Sequence, residues 1–158
     1  MAEQLRPKSL DDIVGQDHLT GEQGAIGRMV AAGKLASIIL WGPTGTGKTS
    51  MARLLADAVG LRFAAISAVF SGVADLKRVF AEADAAALNG RATLLFVDEI
   101  HRFNRAQQDS FLPYVERGTV VLVGATTENP SFALNAALLS RGQVLVLNRL
   151  DEAALGVL

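Results

Sequence analysis

Short, uninterrupted apolar segments alternate along the chain with longer segments in which apolar residues recur every three or four positions. An uninterrupted apolar segment of about four to eight residues is typical of a strand that is buried on both faces. Recurrence every three or four positions is typical of a helix with one buried face. The strands predicted in this way are 37–41, 62–66, 93–97, 119–125 and 143–147, and the predicted helices are 48–59, 73–88, 105–116 and 134–139.

Glycines follow several of the predicted helices, at Gly60, Gly90 and Gly118, where a helix commonly ends. Buried strands that alternate with helices favour a parallel sheet covered on both faces. We therefore predict an α/β fold. Residues 151–158 begin to look helical as the printed sequence ends, so we expect a fragment of a longer protein.

The amino-acid composition excludes several classes of function. The 158 residues are 50% hydrophobic and 20% charged, which is typical of a soluble globular protein, and no apolar run is long enough to cross a membrane. Cysteine is absent, which excludes disulfides and thiolate metal sites, and His18 and His101 alone are too few for an independent zinc site. The net charge of −1 offers no overall electrostatic attraction to nucleic acid.

The strongest chemical signal lies between the first predicted strand and the first predicted helix. Segment 42–49 matches the phosphate-binding loop (P-loop), which consists of glycine, four residues and then Gly-Lys-Thr. Its glycines allow backbone N–H groups to approach phosphate oxygens, and the following helix start adds a positive dipole end. We expect Lys48 to reach the β- and γ-phosphates and Thr49 to bind Mg²⁺. The residues predicted to bind ATP or ADP here are Gly42, Pro43, Thr44, Gly45, Thr46, Gly47, Lys48, Thr49 and Ser50.

A second signal is the pair of carboxylates at the end of the strand 93–97. Adjacent acids repel each other, so they are expected together mainly where a cation compensates for their charge. Asp98 is predicted to hold Mg²⁺, and Glu99 is predicted to orient and deprotonate the attacking water. The alternative is a strand that simply ends in two solvated acids.

Two further candidates are weaker. Thr127 follows the strand 119–125 at the edge where ligands bind in open parallel sheets, and it is predicted to contact the attacking water or the γ-phosphate. A threonine that caps the turn before Pro130 is the structural alternative. Arg141 follows a short apolar helix, where it is either a solvated surface residue or an arginine finger that completes a neighbouring subunit's site.

These motifs together resemble the replication-associated recombination protein A family, which are bacterial relatives of the Werner-helicase-interacting protein. The acid motif continues as Ile100-His101-Arg102-Phe103-Asn104, and Thr127 stands in the run Thr-Glu-Asn-Pro-Ser-Phe, which is not a general ATPase feature. The resemblance covers essentially the whole chain and is carried by segments 5–8, 12–16, 98–104, 106–109, 112–113 and 124–132.

The resemblance implies a three-layer P-loop NTPase fold of the AAA+ type, with a five-stranded parallel sheet in the order 5-1-4-3-2. Residues 1–20 would form the adenine-contacting segment, 37–150 the sheet domain, and 151–158 the start of a lid subdomain that is otherwise absent. By position in the family motifs, the resemblance implies that Ile13, Val14 and Gly15 line the adenine pocket. It also implies that Thr127 is the sensor residue of the fourth strand and Arg141 the finger that acts in trans.

The function implied is DNA-dependent ATP hydrolysis at stalled forks, single-strand gaps or duplex ends. The implied partners are DNA, single-strand DNA-binding protein and further copies of the chain in a homo-oligomer, and the implied location is the cytoplasm, at the nucleoid. Alternatives remain open: a Holliday-junction branch-migration motor or clamp-loader-type subunit, a nucleotide switch without hydrolysis, and a small-molecule kinase. Glu99 directly after Asp98 favours water over a metabolite as the phosphoryl acceptor.

Overall fold

The computed structural model describes residues 37–43 and 47–146. Within them the chain forms one five-stranded sheet in which every neighbouring pair of strands is parallel. The order β2-β3-β4-β1-β5 is the predicted order 5-1-4-3-2 read in the opposite direction, so the predicted fold is confirmed. The strands are β1 (Ser37–Trp41), β2 (Arg62–Ser67), β3 (Thr93–Asp98), β4 (Val120–Thr126) and β5 (Gly142–Val146).

The two long helices agree with the prediction, whereas the later ones are shorter than predicted. The helix predicted over 105–116 is divided in two at residues 110–111. Pro113 lacks the N–H that would bond to the carbonyl of Asp109, so a continuous helix cannot form there. The helices are α1 (Lys48–Val59), α2 (Val73–Leu88), α3 (Arg105–Asp109), α4 (Leu112–Glu116), α5 (Pro130–Ala133) and α6 (Ala136–Ser140), and a 3₁₀ turn spans Ile100–Arg102.

The helix predicted over 134–139 is also corrected, since α6 begins only at Ala136. Leu134 has extended backbone angles, and the Asn135 N–H donates to Oε1 of Gln108 at 2.8 Å. Gln108 is itself buried and donates to the carbonyls of Phe103 and Ala133, at 2.9 and 3.2 Å. The side chain of Gln108 therefore connects the segment after β4 to the segment after β3 by hydrogen bonds.

Helices cover both faces of the sheet, because alternate residues of each strand point to opposite sides. Ile38 and Leu40 of β1 belong to a buried cluster with Met51 and Leu55 of α1, whereas Ile39 belongs to a second cluster on the other face. That second cluster includes Leu76, Val79, Phe80 and Ala83 of α2, and Phe111, Leu134 and Leu138 from the segments that follow β3 and β4.

All five strands run in the same direction, so their carboxyl ends lie together on one side of the sheet. This side is the carboxyl edge. There Trp41 is paired in register with Thr126, and Ser67 with Asp98. In the part of the chain that the structure describes, no helix is long and apolar enough to cross a membrane.

Candidate active site

The P-loop leaves β1 at the carboxyl edge of the sheet and enters α1. Gly47 precedes the helix with φ 79° and ψ 26°, a left-handed conformation that glycine adopts without steric cost. Among the described residues no side chain caps the start of α1, and the first backbone N–H groups of a helix are the groups that bind an anion at such a position. The predicted binding residues 44–46 lie outside the described residues.

Lys48 lies at the first position of α1, and its ammonium is close to the start of the P-loop. Nζ donates to the carbonyl oxygen of Gly42 at 2.6 Å. Burial lowers the pKa of Lys48 below its usual value, and the negative charges of Asp98 and Glu99 oppose that effect. Lys48 is therefore within the electrostatic influence of the acid pair, and the roles predicted for these three residues stay predictions.

The backbone at the acid pair is unusual. Asp98 is the exposed last residue of β3, and its carbonyl oxygen accepts the Ala68 N–H at 3.0 Å. Glu99 follows in the left-handed region with φ 51° and ψ 48°, the only non-glycine residue with positive φ among those described. Such a conformation costs of order 1–3 kcal/mol and persists only where neighbouring contacts hold it. The carbonyl oxygen of Glu99 accepts the Arg102 N–H at 2.9 Å, which closes the 3₁₀ turn.

The side chains present are compatible with Mg²⁺. Thr49 and Asp98 are both exposed at the carboxyl edge, and the ion pairs recorded among the described residues involve neither Asp98 nor Glu99. No group of three or more His, Cys, Asp or Glu side chains in this part of the chain forms a metal cage. One hydroxyl and one carboxylate, completed by phosphate oxygens and water, are a typical Mg²⁺ environment in a nucleotide site.

The two threonines at the end of β4 have different environments. Thr126 is buried, and its Oγ1 lies 2.8 Å from Nδ1 of His101 and 3.0 Å from the Glu128 N–H that it accepts. The carbonyl oxygen of Thr126 accepts the Gly42 N–H at 3.1 Å, which connects the end of β4 to the P-loop. Thr127 is exposed beyond this point, and its predicted role as sensor stays a prediction.

The sequence did not indicate a hydrogen-bond partner for His101. Thr126 is 25 positions away in the sequence. The two residues meet only because β3 and β4 are neighbours in the sheet. The sequence did show two adjacent threonines, Thr126 and Thr127, at the end of a predicted strand. It did not indicate which of the two side chains is buried.

Arg141 lies on the side of the sheet where the strands begin, opposite the carboxyl ends that carry the P-loop. It immediately precedes Gly142, which pairs with Ser37 at the beginning of β1, whereas the P-loop follows the end of β1. Four residue steps along a strand correspond to about 13 Å, so Arg141 is remote from the P-loop of its own chain. Its guanidinium instead pairs with Glu116, which sequence reasoning did not single out. The adenine-pocket residues Ile13, Val14 and Gly15 lie outside the described residues.

Comparison with known proteins defines the class. The family model described as "ATPase family associated with various cellular activities (AAA)" matches residues 38–150, which is more than half of the chain. The chain therefore belongs to the AAA family of ATPases.

Within this family the chain is similar to Replication-associated recombination protein A, as the sequence motifs predicted. It is 53% identical to that protein of Coxiella burnetii, over 98% of this chain and 35% of the relative, and 49% identical to that of Escherichia coli K12, over 96% and 34%. It is also 44% identical to ATPase WRNIP1 of Dictyostelium discoideum, over 100% of this chain and 18% of the relative. The chain thus spans about a third of the length of its bacterial relatives.

Among solved structures, the fold is similar to the Thermotoga maritima RuvB Holliday junction branch migration motor. The TM-score is 0.70 at 30% sequence identity, and the match covers 91% of this chain and 49% of the RuvB chain.

Proposed function

We propose that the chain binds Mg-ATP at the carboxyl edge of its sheet and hydrolyses it, as the motor module of a protein that maintains DNA during replication and recombination. One observation carries the proposal. The P-loop follows the carboxyl end of β1, and Asp98 and Glu99 stand at the carboxyl end of β3, with β4 between these two parallel strands. Lys48 and the acid pair therefore lie at the same edge of the sheet, and the charges of both carboxylates oppose the lowering of the Lys48 pKa by burial. A cation from the loop after β1 and two acids from the end of β3, on the other side of β4, are the groups that phosphoryl transfer to water requires.

Each residue has a distinct role in the proposed reaction. The backbone N–H groups of the P-loop and the ammonium of Lys48 bind the β- and γ-phosphates. Thr49 and Asp98 would hold Mg²⁺, which would neutralise negative charge on the phosphates. Glu99 accepts a proton from a water molecule while the water oxygen attacks the γ-phosphorus, and the bond to the bridging oxygen breaks so that ADP leaves.

Two residues complete the proposed site. Thr127, exposed at the end of β4, contacts the γ-phosphate or the attacking water. Arg141 is supplied by a neighbouring copy of the chain and neutralises charge in the transition state. Its distance from the P-loop of its own chain supports a role in trans, and this role requires a homo-oligomer.

The DNA role rests on the relatives. Their name, Replication-associated recombination protein A, supports DNA replication and recombination as the process. We propose that DNA with forks, gaps or duplex ends stimulates hydrolysis, and that single-strand DNA-binding protein is a partner of the whole protein, in the cytoplasm at the nucleoid.

The deciding measurement is steady-state ATP hydrolysis against chain concentration, with and without gapped DNA. We expect turnover to rise faster than linearly with concentration. Glu99→Gln should bind ATP within about threefold of the unaltered chain and lose at least about 100-fold in turnover, because the amide cannot accept the proton. Glu82→Gln, the same change at an exposed position of α2, is the matched control. Undiminished turnover in Glu99→Gln would exclude Glu99 from the reaction.

A branch-migration motor is the second candidate, and the similarity to RuvB favours it. Selective stimulation of hydrolysis by four-way junctions, relative to gapped duplexes, would support this alternative. Tight ATP binding without phosphate release at every chain concentration would instead indicate a nucleotide switch.

A further inference from the structure

Thr126 connects three segments that surround the proposed site. Its carbonyl oxygen accepts from Gly42, the first glycine of the P-loop, and its hydroxyl contacts both His101 and the backbone of Glu128. Thr126 is 1% exposed, whereas His101 is half-buried and Glu128 is exposed, so only the Thr126 end of these hydrogen bonds is removed from water. An unmet hydrogen-bonding group at such a position is costly, which makes the arrangement specific.

Two arrangements of protons fit the distances around the Thr126 hydroxyl, which lies 2.8 Å from Nδ1 of His101 and 3.3 Å from the carbonyl oxygen of Glu128. Either the hydroxyl donates to Nδ1, or Nδ1–H donates to the hydroxyl oxygen and the hydroxyl donates to the Glu128 carbonyl. In both arrangements the hydroxyl oxygen accepts the Glu128 N–H at 3.0 Å, and Thr126 is linked to His101.

His101 lies in the 3₁₀ turn that begins directly after Glu99. The left-handed backbone of Glu99 needs support from its surroundings, and this turn is anchored at one end by Ile100, which is fully buried. Packing of Ile100 against Gly124 of β4 is tight: a Cβ on Gly124 would lie 2.9 Å from Cδ1 of Ile100. The bond from His101 to Thr126 adds a polar link between the same turn and the end of β4.

We propose that His101 and Thr126 are positioning residues that hold Glu99 and Thr127 in a fixed relation, so that both act on the same water and γ-phosphate. The proposal rests on the proposed hydrolysis at this site. Each member of the pair is two residues or fewer from a group placed at the reacting atoms, and neither touches those atoms itself. Loss of the link would leave nucleotide binding intact and disturb the geometry of hydrolysis, to which rates are very sensitive.

The kinetic test uses paired variants. We expect Thr126→Val and His101→Ala to lower kcat by about 10- to 100-fold while KM for ATP changes by less than about threefold. Thr126→Ser keeps the hydroxyl, and His101→Asn places a polar atom near the position of Nδ1, so both should recover most of kcat. Thr93→Val is the matched control, because the buried Thr93 hydroxyl accepts from Nε of Arg62 at 3.2 Å, at the far end of β3.

The two single changes should not add in the double variant, because they break the same link. Equal losses in kcat and in ATP binding, or equal losses in the conservative variants, would show a purely structural role and overturn the proposal. Normal turnover in both Thr126→Val and His101→Ala would overturn it while leaving the proposed hydrolysis intact. If the unaltered chain binds ATP and never turns it over, the proposed function fails and this proposal fails with it.

The hydrogen bond is also open to observation without turnover. The chain has two histidines, so His101→Ala identifies the imidazole nitrogen signals of His101 in a nitrogen-15 NMR spectrum. The Nδ1 signal should move in Thr126→Val and stay in place in Thr93→Val. An Nδ1 signal that is the same in Thr126→Val as in the unaltered chain would show that the link does not exist, and would overturn the proposal.

Discussion

Arg141 and Glu116 form an ion pair at the edge of the sheet opposite the P-loop. Nε and Nη2 of the guanidinium lie 2.9 and 2.5 Å from the same carboxylate oxygen. The side chains are 41% and 49% exposed, so water screens the attraction, and the pair is worth only about 0–1 kcal/mol. An ion pair of this strength breaks at a small cost in free energy. The guanidinium of Arg141 can therefore leave Glu116 and bind a more strongly charged phosphate group.

If Arg141 acts in trans, two inactive variants should restore each other. Glu99→Gln lacks the base and keeps the arginine, whereas Arg141→Ala keeps the base and lacks the arginine. In an equal mixture, about one site in four combines an intact base with a neighbour's intact arginine, so we expect about a quarter of the unaltered turnover. The measurement is phosphate release from each variant alone and from the mixture, at the same total chain concentration.

Glu116→Ala is the companion variant. It removes the competing carboxylate, so we expect turnover equal to or above that of the unaltered chain and a change in unfolding free energy below about 1 kcal/mol. A mixture of Glu99→Gln and Arg141→Ala that stays inactive would argue against a shared site. A large loss of turnover in Glu116→Ala would mean that Glu116 holds the arginine in its working position.

The second prediction compares a glycine of the P-loop with a glycine that has a similar backbone conformation outside the P-loop. Gly47 and Gly60 stand at the two ends of α1 with nearly equal φ angles of 79° and 74°, and no atom of residues 37–43 or 47–146 is recorded within 4 Å of a Cβ added at either. Alanine should therefore cost about 1–2 kcal/mol of unfolding free energy at each position, through backbone conformation alone. Only Gly47→Ala should also weaken ATP binding, by at least about tenfold, because the P-loop geometry changes.

Urea unfolding and titration with a fluorescent ATP analogue measure the two effects in each variant. Equal nucleotide affinity in Gly47→Ala and Gly60→Ala would show that the conformation of Gly47 is not required for phosphate binding.

The fold was predictable because buried parallel strands carry apolar residues at nearly every position. Residues 93–97 of β3, Thr-Leu-Leu-Phe-Val, are all buried, and the sequence run alone indicates a central strand. The P-loop and the acid pair were predictable for a different reason, since each depends on residues that are adjacent in the sequence. The sheet then places their two strand ends at one edge.

Contacts between distant residues were not predictable in this way. The bond from Thr126 to His101 and the ion pair of Arg141 with Glu116 each join residues 25 positions apart. Local pattern does not record which side chains meet after the sheet forms. The break within 105–116 has a local cause in Pro113, which the prediction from helical spacing did not take into account.

The third prediction concerns Mg²⁺. Asp98→Asn removes one negative charge from the proposed metal site, so we expect at least about a tenfold higher Mg²⁺ concentration for half-maximal turnover. Asp84→Asn is the matched control, because the Asp84 carboxylate pairs with Arg117 at 3.5 Å on the surface. Turnover measured across a Mg²⁺ titration tests both variants, and a chelator should abolish turnover in every one. An unchanged Mg²⁺ requirement in Asp98→Asn would remove Asp98 from the metal site.

The last prediction follows from the pKa of Lys48, which burial lowers below its usual value of 10.5. Below the folded-state pKa, Lys48 is protonated in both the folded and the unfolded chain, and the full cost of burying its charge is present. As the pH rises through the folded-state pKa towards 10.5, the folded chain loses this proton first, so the unfolded chain binds more protons. The contribution of Lys48 to stability must therefore increase with pH in that window.

Lys48→Met lacks this titration and provides the reference. The unfolding free energy of the unaltered chain minus that of Lys48→Met should rise as the pH increases through the folded-state pKa towards 10.5, by less than about 1 kcal/mol, since the half-buried ammonium is screened by water. Glu99→Gln should widen the window, because it removes one of the charges that raise the pKa of Lys48. Urea unfolding across this pH range measures each difference. A difference that stays flat or falls with pH would show that the folded chain does not disfavour the charged lysine, and the close approach of Lys48 to its buried surroundings would then need another explanation.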